Sequence, residues 1–380
     1  MIKVLGVSRD MGGCSFYRVR QPMKFLNSID GLHCAVAGQG IAGPRLSDAL
    51  SAADVVVFPR AGEQYILDYI AIAKEKGKKV IIDHDDDIFN VNPLSEHYFE
   101  YGGRDVRMSV DGSTEMLWKT GETYMQGVFD AEKNAERLEL VRACARNADA
   151  VSVTTDRLAR VFARLNNNVM VWPNCIDPDL WKPVDVVKTN TVRISWQGGS
   201  SHYSDLLEVF PALGEIFKEN AALHLVICGT EFKGCTKHIP ADRIEFHPWV
   251  PVDAHPYKQA GLNVDIGVIP LANNEFNPCK SPIKFLEYAA LGIPVIASNI
   301  PPYSDVIDNM QTGILYNDAR DFREKLLFLA GSPETRRTIG GNAREYMLEN
   351  YSAPRMAHKT GNDIKNLQPT LIEVNHGNWN

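Results

Sequence analysis

The sequence predicts two α/β domains, each built on a parallel sheet, joined by a linker and facing a cleft. Three observations predict this. Short Val- and Ile-rich runs alternate with helical stretches in both halves, the pattern of buried parallel strands with crossover helices. The alternation stops at "CIDPDLWKPVDVVKTNT" (175–191), which carries prolines and little pattern, and then restarts. At 380 residues the chain is too long for one ordinary core and comfortable for two.

Taken in order, "IKVLGVS" (2–8), "HCAVAG" (33–38), "ADVVVFPR" (53–60) and "KKVIIDH" (78–84) read as buried strands. Between them, "SFYRVRQPMKFLNS" and "GEQYILDYIAIAKEKG" read as helices, the second closed by Gly77. At about 91–130 the period is lost, which predicts a functional insert, here one rich in aromatic residues. Order returns with a helix over "AEKNAERLELVRACARNA", the strand "ADAVSVTT" (148–155), a helix from Asp156 and the strand "NVMVWPN". These place an N-terminal domain at 1–176 and the linker at 177–191. Then "VRISWQG" (192–198), a helix from Tyr203, "LHLVICG" (223–229), "RIEFHPWV" (243–250) and "VDIGVIPL" (264–271) follow. A helix at 282–291, "PVIASN" (294–299) and "GILY" (313–316) continue a C-terminal domain at 192–350. The tail, 351–380, is free to return to the N-terminal domain.

Composition narrows the function classes. With 44% hydrophobic and 23% charged residues the chain reads as a soluble globular protein. Its longest apolar runs are strand-sized, so no transmembrane anchor is expected. "MIKVLGVS" looks like a first strand and not a signal peptide. Seven scattered cysteines without a CxxC pair predict a reduced, cytoplasmic setting and no structural zinc. The net charge of −7, with no long basic run, argues against a broad nucleic-acid surface, while a local basic groove stays open.

The most informative segment is "NPCKSPIKFLEYAALGIPVIAS" (277–298). Ser281 is placed to cap a helix, with Pro282 at its first position and Gly292 just past its end. Ile283, Leu286 and Ala290 fall at core-facing spacing. The helix start follows a strand and a short loop, which makes it an anion site suited to phosphate. Lys280 and Lys284 add positive charge there. Glu287, leaning toward the N-terminus, can accept hydrogen bonds from a ribose diol. The plainer alternative is a capped helix with a surface Lys–Glu pair.

This segment resembles the donor-binding signature of GT-B glycosyltransferases of the large retaining, family 4-like group. "DMGGCSFYRVRQP" is similar to the N-terminal glycine-rich loop of that fold. "VWPNCIDPDLW", "ISWQGGSSHYSDLLEVF" and "FHPWV…YKQAGLNVDIGVIPL" also match it in order. The resemblance implies two Rossmann-like domains facing a cleft, with the nucleotide-sugar donor in the C-terminal domain and the acceptor in the N-terminal one. It implies that Glu287 holds the nucleotide ribose and that the backbone of Gly12 and Gly13 approaches the donor diphosphate and sugar. His202 falls where many relatives place a phosphate-binding lysine, with Ser200 and Ser201 as hydroxyl donors beside it. Charge then falls to Lys280, Lys284 or an arginine elsewhere. Cys279 stands where many relatives carry a sugar-contacting glutamate, so sugar recognition would pass to the backbone of Lys280 and Ser281. In this group the helix N-terminus and basic side chains take the diphosphate charge. No cofactor and no essential metal are therefore expected, the nucleotide-sugar being a substrate.

"VIIDHDDDIF" (80–89) packs four aspartates and a histidine after the fourth strand. Three readings compete: a divalent-metal site, a catalytic carboxylate that positions or deprotonates the acceptor hydroxyl, and a turn in which Asp85 or Asp86 caps a short helix. Alternation sends Asp83 and Asp85 one way and His84 and Asp86 the other. Asp85 and Asp86 are the catalytic candidates, with His84 held beside them. Arg18, Arg20 and Arg60 are candidate partners for so many negative charges.

The insert holds Tyr98, Phe99, Tyr101, Trp118, Tyr124 and Phe129 among Arg104, Arg107 and Lys119. Arg18, Arg104, Arg107 and Trp118 are the acceptor-side candidates, against the alternative of aromatics that simply pack the loop. Two acceptor classes remain open. One is a glycan or small molecule. The other is a hydroxymethylated pyrimidine in phage DNA, flipped into the cleft, which would place the protein in a host cytoplasm. A nucleotide-sugar epimerase of the same fold is the main alternative to transfer, and a regulatory nucleotide-binding module a more distant one.

Overall fold

The computed structural model describes residues 1–38, 44–110, 113–185 and 190–367. Part of the expected linker (186–189) and the tail beyond 367 lie outside the described residues. The strands are β1 (Ile2–Val7), β2 (Leu32–Ala37), β3 (Val55–Pro59), β4 (Lys79–His84), β5 (Val106–Val110), β6 (Ser113–Trp118), β7 (Thr123–Tyr124) and β8 (Gly127–Val128). They continue as β9 (Ala150–Val153), β10 (Val169–Val171), β11 (Val192–Gly198), β12 (Leu223–Gly229), β13 (Ile244–His247), β14 (Ile266–Ile269), β15 (Val295–Ser298) and β16 (Ile314–Tyr316). The chain packs into two compact units. Among the described residues, one comprises Met1–Asp85, Arg137–Trp172 and the stretch from Ala357 to Leu367, and the other Asp86–Glu136 and Pro173–Met356.

The first unit is a parallel sheet in the order β10-β9-β4-β3-β1-β2. Alternate residues of its strands feed opposite faces. Val4, Val55, Val57 and Ile81 enter one core with Val19, Met23 and Leu26. Leu5, Val56, Phe58, Val80 and Ile82 enter the other with Ile66 and Ile70. A sheet buried on both faces needs such continuous apolar strands. The strand order reverses beside β1, so the loops after β1 and β3 flank the switch point where open α/β sheets take ligands. After β1, the helical stretch Gly13–Leu26 contains a π turn at Phe16–Arg20. In a regular α-helix the ring of Pro22 would meet the Arg18 carbonyl, and the wider turn falls there. The helix Ala353–Lys365 closes this unit: Ala357 and Ile364 join the core of Ile29 and Leu32. Trp172 Nε1 donates to Asp363 Oδ2 at 2.9 Å.

The second unit carries a parallel sheet in the order β13-β12-β11-β14-β15-β16, with its switch point between β11 and β14. One face packs Ile194, Trp196, Leu225, Ile227, Ile266 and Val268 against the helices Phe210–Glu219 and Ala319–Gly331. The helix expected from Tyr203 is broken into short turns and restarts at Phe210, where Pro211 suits a first helical turn. The insert is more ordered than its sequence suggests. It contains two antiparallel hairpins, β5–β6 and β7–β8, and the short helix Tyr98–Tyr101.

Candidate active site

In the second unit the candidate residues meet at the carboxyl ends of β11 and β14. The helix Ile283–Ala290 is buried nearly all round, as its mostly apolar sequence requires. Glu287 is buried on it and accepts from Gln197 Nε2 at 2.8 Å. His255 Nε2 lies 4.0 Å from the same carboxylate. Burial, assisted by the Lys258 charge, pulls the His255 imidazole down to about 4, so it is neutral at pH 7. Lys284 stands one turn before Glu287, its Nζ 5.4 Å from the Trp196 ring centre. Burial pulls its ammonium down to about 7; Lys280 adds to this, while Asp205 and Glu287 oppose it. Gly198 makes room for that ammonium, since a Cβ there would sit 2.9 Å from Lys284 Nζ and 2.7 Å from Trp196. Lys280 Nζ lies 4.4 Å from the Phe276 ring centre and 3.8 Å from Asp86 Oδ1.

The loop after β11 carries the other donor-side candidates. His202 Nδ1 is 2.7 Å from Asp205 Oδ2. Burial, then the charge of Lys284, pulls the imidazole down to about 3 against the pull of Asp205. The Asp205 Oδ1 atom accepts from Ala272 N at 2.9 Å and from Asn277 Nδ2 at 2.8 Å. This carboxylate thus ties the loop after β11 to the loop after β14. Burial works to raise its pKa, and His202, the Ala272 N–H and the Lys280 charge together outweigh that and leave it lowered. Ser200 Oγ donates to Glu96 of the insert. Ser201 is partly buried beside it. Ser281 does not cap the helix, because Pro282 occupies the N-cap position; Ser281 Oγ is buried without a partner. Gln197 Oε1 and Trp196 Nε1 are likewise buried and unpartnered.

In the first unit the aspartates part company. Asp83 is buried and accepts from Arg18 Nε at 2.9 Å, Arg18 Nη2 at 2.6 Å and Ser152 Oγ at 2.6 Å. Arg18 also donates to the Trp172 carbonyl at 2.6 Å, so its guanidinium is wholly engaged inside the unit. Asp85 accepts from Arg60 Nε at 2.8 Å and Nη2 at 3.1 Å. Burial pushes the Asp85 carboxyl up, but Arg60, the Cys14 thiol and Arg18 together hold it well below the usual carboxylate range. His84 is fully buried and stacks on Phe162 at 4.6 Å, with neither ring nitrogen hydrogen-bonded. Burial pulls it down to about 3 and keeps it neutral. Gly12 and Gly13 are exposed; a Cβ on Gly13 would meet no atom within 4 Å, while one on Gly12 would sit 3.1 Å from Asp10 Oδ1.

The cap expected from Asp85 or Asp86 belongs instead to Asp87, which accepts from Phe89 N at the start of the 3₁₀ turn Ile88–Asn90. The extended chain ends at His84, and the turn begins one residue later than the acidic run alone suggests. Among the described residues no three His, Cys, Asp or Glu side chains converge to hold a metal ion.

In the insert, Trp118 is buried, donates to the Pro93 carbonyl at 2.7 Å and packs with Tyr98, Phe99, Tyr124 and Phe129. It is a packing residue of a small aromatic core. Arg104 and Arg107 are exposed, and Lys119 is exposed and paired with Glu122 at 2.9 Å. Gln197, Asp205, His255 and Asn277 were not among the sequence candidates. Asp205 was the most legible of them, lying three residues after His202 in "HYSDLL", a spacing that lets side chains meet on a helical turn.

Residues 197–332 match the family Glycosyl transferases group 1. A stretch of 67 residues is 36% identical to glycosyltransferase 1 domain-containing protein 1 of Xenopus tropicalis, covering 18% of this chain and about a fifth (19%) of that protein. The structure is similar to sucrose-phosphate synthase from Thermosynechococcus elongatus, with a TM-score of 0.63, 15% identity and coverage of 97% of this chain and 99% of that one. It is similar to Anabaena HepE in complex with UDP-glucose, with a TM-score of 0.60, 12% identity and coverage of 96% and 100%. The two parallel-sheet α/β domains thus have the GT-B fold, and the matched stretch 197–332 lies in the C-terminal one. Among the described residues no helix is long and apolar enough to cross a membrane.

Proposed function

We propose that this protein takes a sugar from a nucleotide-sugar held by its C-terminal domain and joins it to an acceptor hydroxyl, with retention at the anomeric carbon. The observation that carries the reading is the buried Gln197–Glu287 pair at a sheet switch point, beside Lys280, Lys284 and the start of the helix Ile283–Ala290. All of it lies within the matched stretch 197–332. Glu287, fixed by Gln197, is oriented to accept from the ribose hydroxyls. The free N–H groups of the helix start, with the two lysines, offset the charge that grows on the leaving diphosphate. Ser200, Ser201 and His202, on the loop after β11, are proposed to add donors to the phosphates, and the backbone at Gly12 and Gly13 is proposed to approach the donor.

On the acceptor side, Asp85 and Asp86 are proposed to hold the hydroxyl. Because Asp85 is held ionised well below its usual range, its part is to accept a hydrogen bond and fix the oxygen; it is a poor proton store. His84 and Arg18 support this region from within the core. The exposed Arg104 and Arg107 are available to an acceptor. Lys119, however, is neutralised by Glu122, and Asp105 accepts from Thr120 at 2.9 Å next to them. A rim so offset favours a glycan or small hydroxylated acceptor over DNA.

The test is a panel of nucleotide-sugars incubated with glycan acceptors and, separately, with hydroxymethylated DNA. Sugar transfer with the anomeric configuration preserved by NMR supports the proposal. Release of nucleoside diphosphate only with modified DNA would reassign the acceptor, and interconversion of the free donor without transfer would identify an epimerase. No binding or turnover of any nucleotide-sugar would overturn the reading.

A further inference from the structure

Among the described residues of the first unit, Arg60 is the non-glycine residue with a positive φ. It follows β3, and its φ is +49°, in the left-handed region that favours glycine. No glycine stands there. Its N–H donates to the Asp83 carbonyl at 2.7 Å, extending the β3–β4 pairing by one residue. Its carbonyl accepts from Arg9 Nη1 at 2.6 Å, and Arg9 in turn pairs with Glu63. Its guanidinium meets Asp85 fork to fork, through Nε at 2.8 Å and Nη2 at 3.1 Å. Asp85 is fastened on two further sides, by the Cys14 thiol at its side chain and by Thr154 Oγ1 at its carbonyl, 3.2 Å away.

We propose that Arg60 is a positioning residue for glycosyl transfer: its strained backbone exists to set a bidentate guanidinium that holds Asp85 as an immobile, ionised acceptor of the substrate hydroxyl. This rests on the assignment of Asp85 to the acceptor side. The cost of the conformation supports the role. A glycine at position 60 would relieve the backbone, and a short polar side chain would be tolerated better than an arginine if only a turn were needed. The residue present gives up that ease and supplies the one side chain able to match both carboxylate oxygens. The charged and titratable groups acting on Asp85 include Arg60, Cys14, Arg18 and the neighbouring His84. With Arg60 removed, a mostly buried carboxylate loses its principal counter-charge and its proton affinity rises.

The experiment compares Arg60→Gly, Arg60→Ala, Arg60→Lys and Asp85→Asn in the full chain. Transfer is measured from pH 5 to 9, together with melting temperature and nucleoside diphosphate binding. Arg60→Gly is expected to melt above Arg60→Ala, to bind the nucleotide as wild type does, and to lose transfer at least ten-fold. The acid limb of its pH profile should move up by at least one unit, and millimolar guanidinium, but not tetramethylammonium, should restore it. Arg60→Lys should keep the acid limb and lose turnover, because the charge remains without the fork. If Asp85→Asn transfers as wild type does, the acceptor-side assignment itself fails. If Asp85→Asn is inactive while Arg60→Gly keeps both wild-type turnover and its acid limb, only the positioning role of Arg60 is overturned.

Discussion

Gln197 Nε2 donates to Glu287 Oε2 at 2.8 Å, and both side chains are buried. A carboxylate so placed can keep its charge only while it is hydrogen-bonded. Glu287→Gln replaces an acceptor of charged strength with a neutral amide. Losing a hydrogen bond to a charged group costs about 1.5–3 kcal/mol, so the affinity for nucleoside diphosphate should fall about 10- to 150-fold. Isothermal titration of the variant checks this, and an unchanged affinity would remove Glu287 from the donor site.

Lys284 makes that affinity depend on pH. Its ammonium is pulled down to about 7, so it is mostly charged below pH 7 and mostly neutral above. Diphosphate binding should therefore weaken as pH rises from 7 to 9, by at most about ten-fold per unit. Lys284→Arg keeps the charge throughout and should flatten the dependence. Titrations at pH 6, 7, 8 and 9 on both proteins compare the slopes.

Asp205 holds two loops with one carboxylate. Asp205→Ala leaves Ala272 N without its acceptor, removes one of the two acceptors of Asn277 Nδ2 and frees His202. Hydrogen exchange at 272–277 should quicken, and diphosphate affinity should fall by about ten-fold or more. Exchange confined to wild-type rates would show that the loops are held by other contacts.

The Arg18–Asp83 pair, with side chains 3% and 1% exposed, calls for a different measurement. Asp83→Asn leaves a guanidinium buried against a neutral group and should lower unfolding stability by about 3–5 kcal/mol. Replacing both residues with apolar ones should cost less than the sum of the single changes. Denaturant melts of the two single variants and the double variant give the coupling directly.

Much of this architecture could be read in the chain because buried parallel strands leave a plain mark. Val55–Pro59 and Ile81–Ile82 are apolar on both faces, and no other role explains such runs as well. The helix around Glu287 was legible for the same reason, with Gly292 and Pro294 closing it. What the chain concealed depends on where extended backbone stops. The acidic run could have put the cap on Asp85 or Asp86, and only the end of β4 at His84 gives it to Asp87. The depth of His84 was also hidden, since alternation tells which way a side chain points and not what covers it. The helix Pro44–Ala52 was missed, although Leu46, Ala49 and Leu50 stand at helical spacing. The aromatics of the insert suggested a binding surface, and the hairpins instead gather Trp118 and Phe129 into a small core.

The helix Ala353–Lys365 has one more consequence, which concerns order in time. Its Ala357 and Ile364 are part of the core that also contains Val4, Leu26 and Leu32, and Asp363 takes the Trp172 indole N–H. During synthesis, the first strands are made long before the helix that covers them. The second unit, by contrast, is complete once Met356 has been added. The half of the protein that is translated first is thus the half that finishes folding last, and until then its apolar face is in the care of whatever the cell provides to shield it.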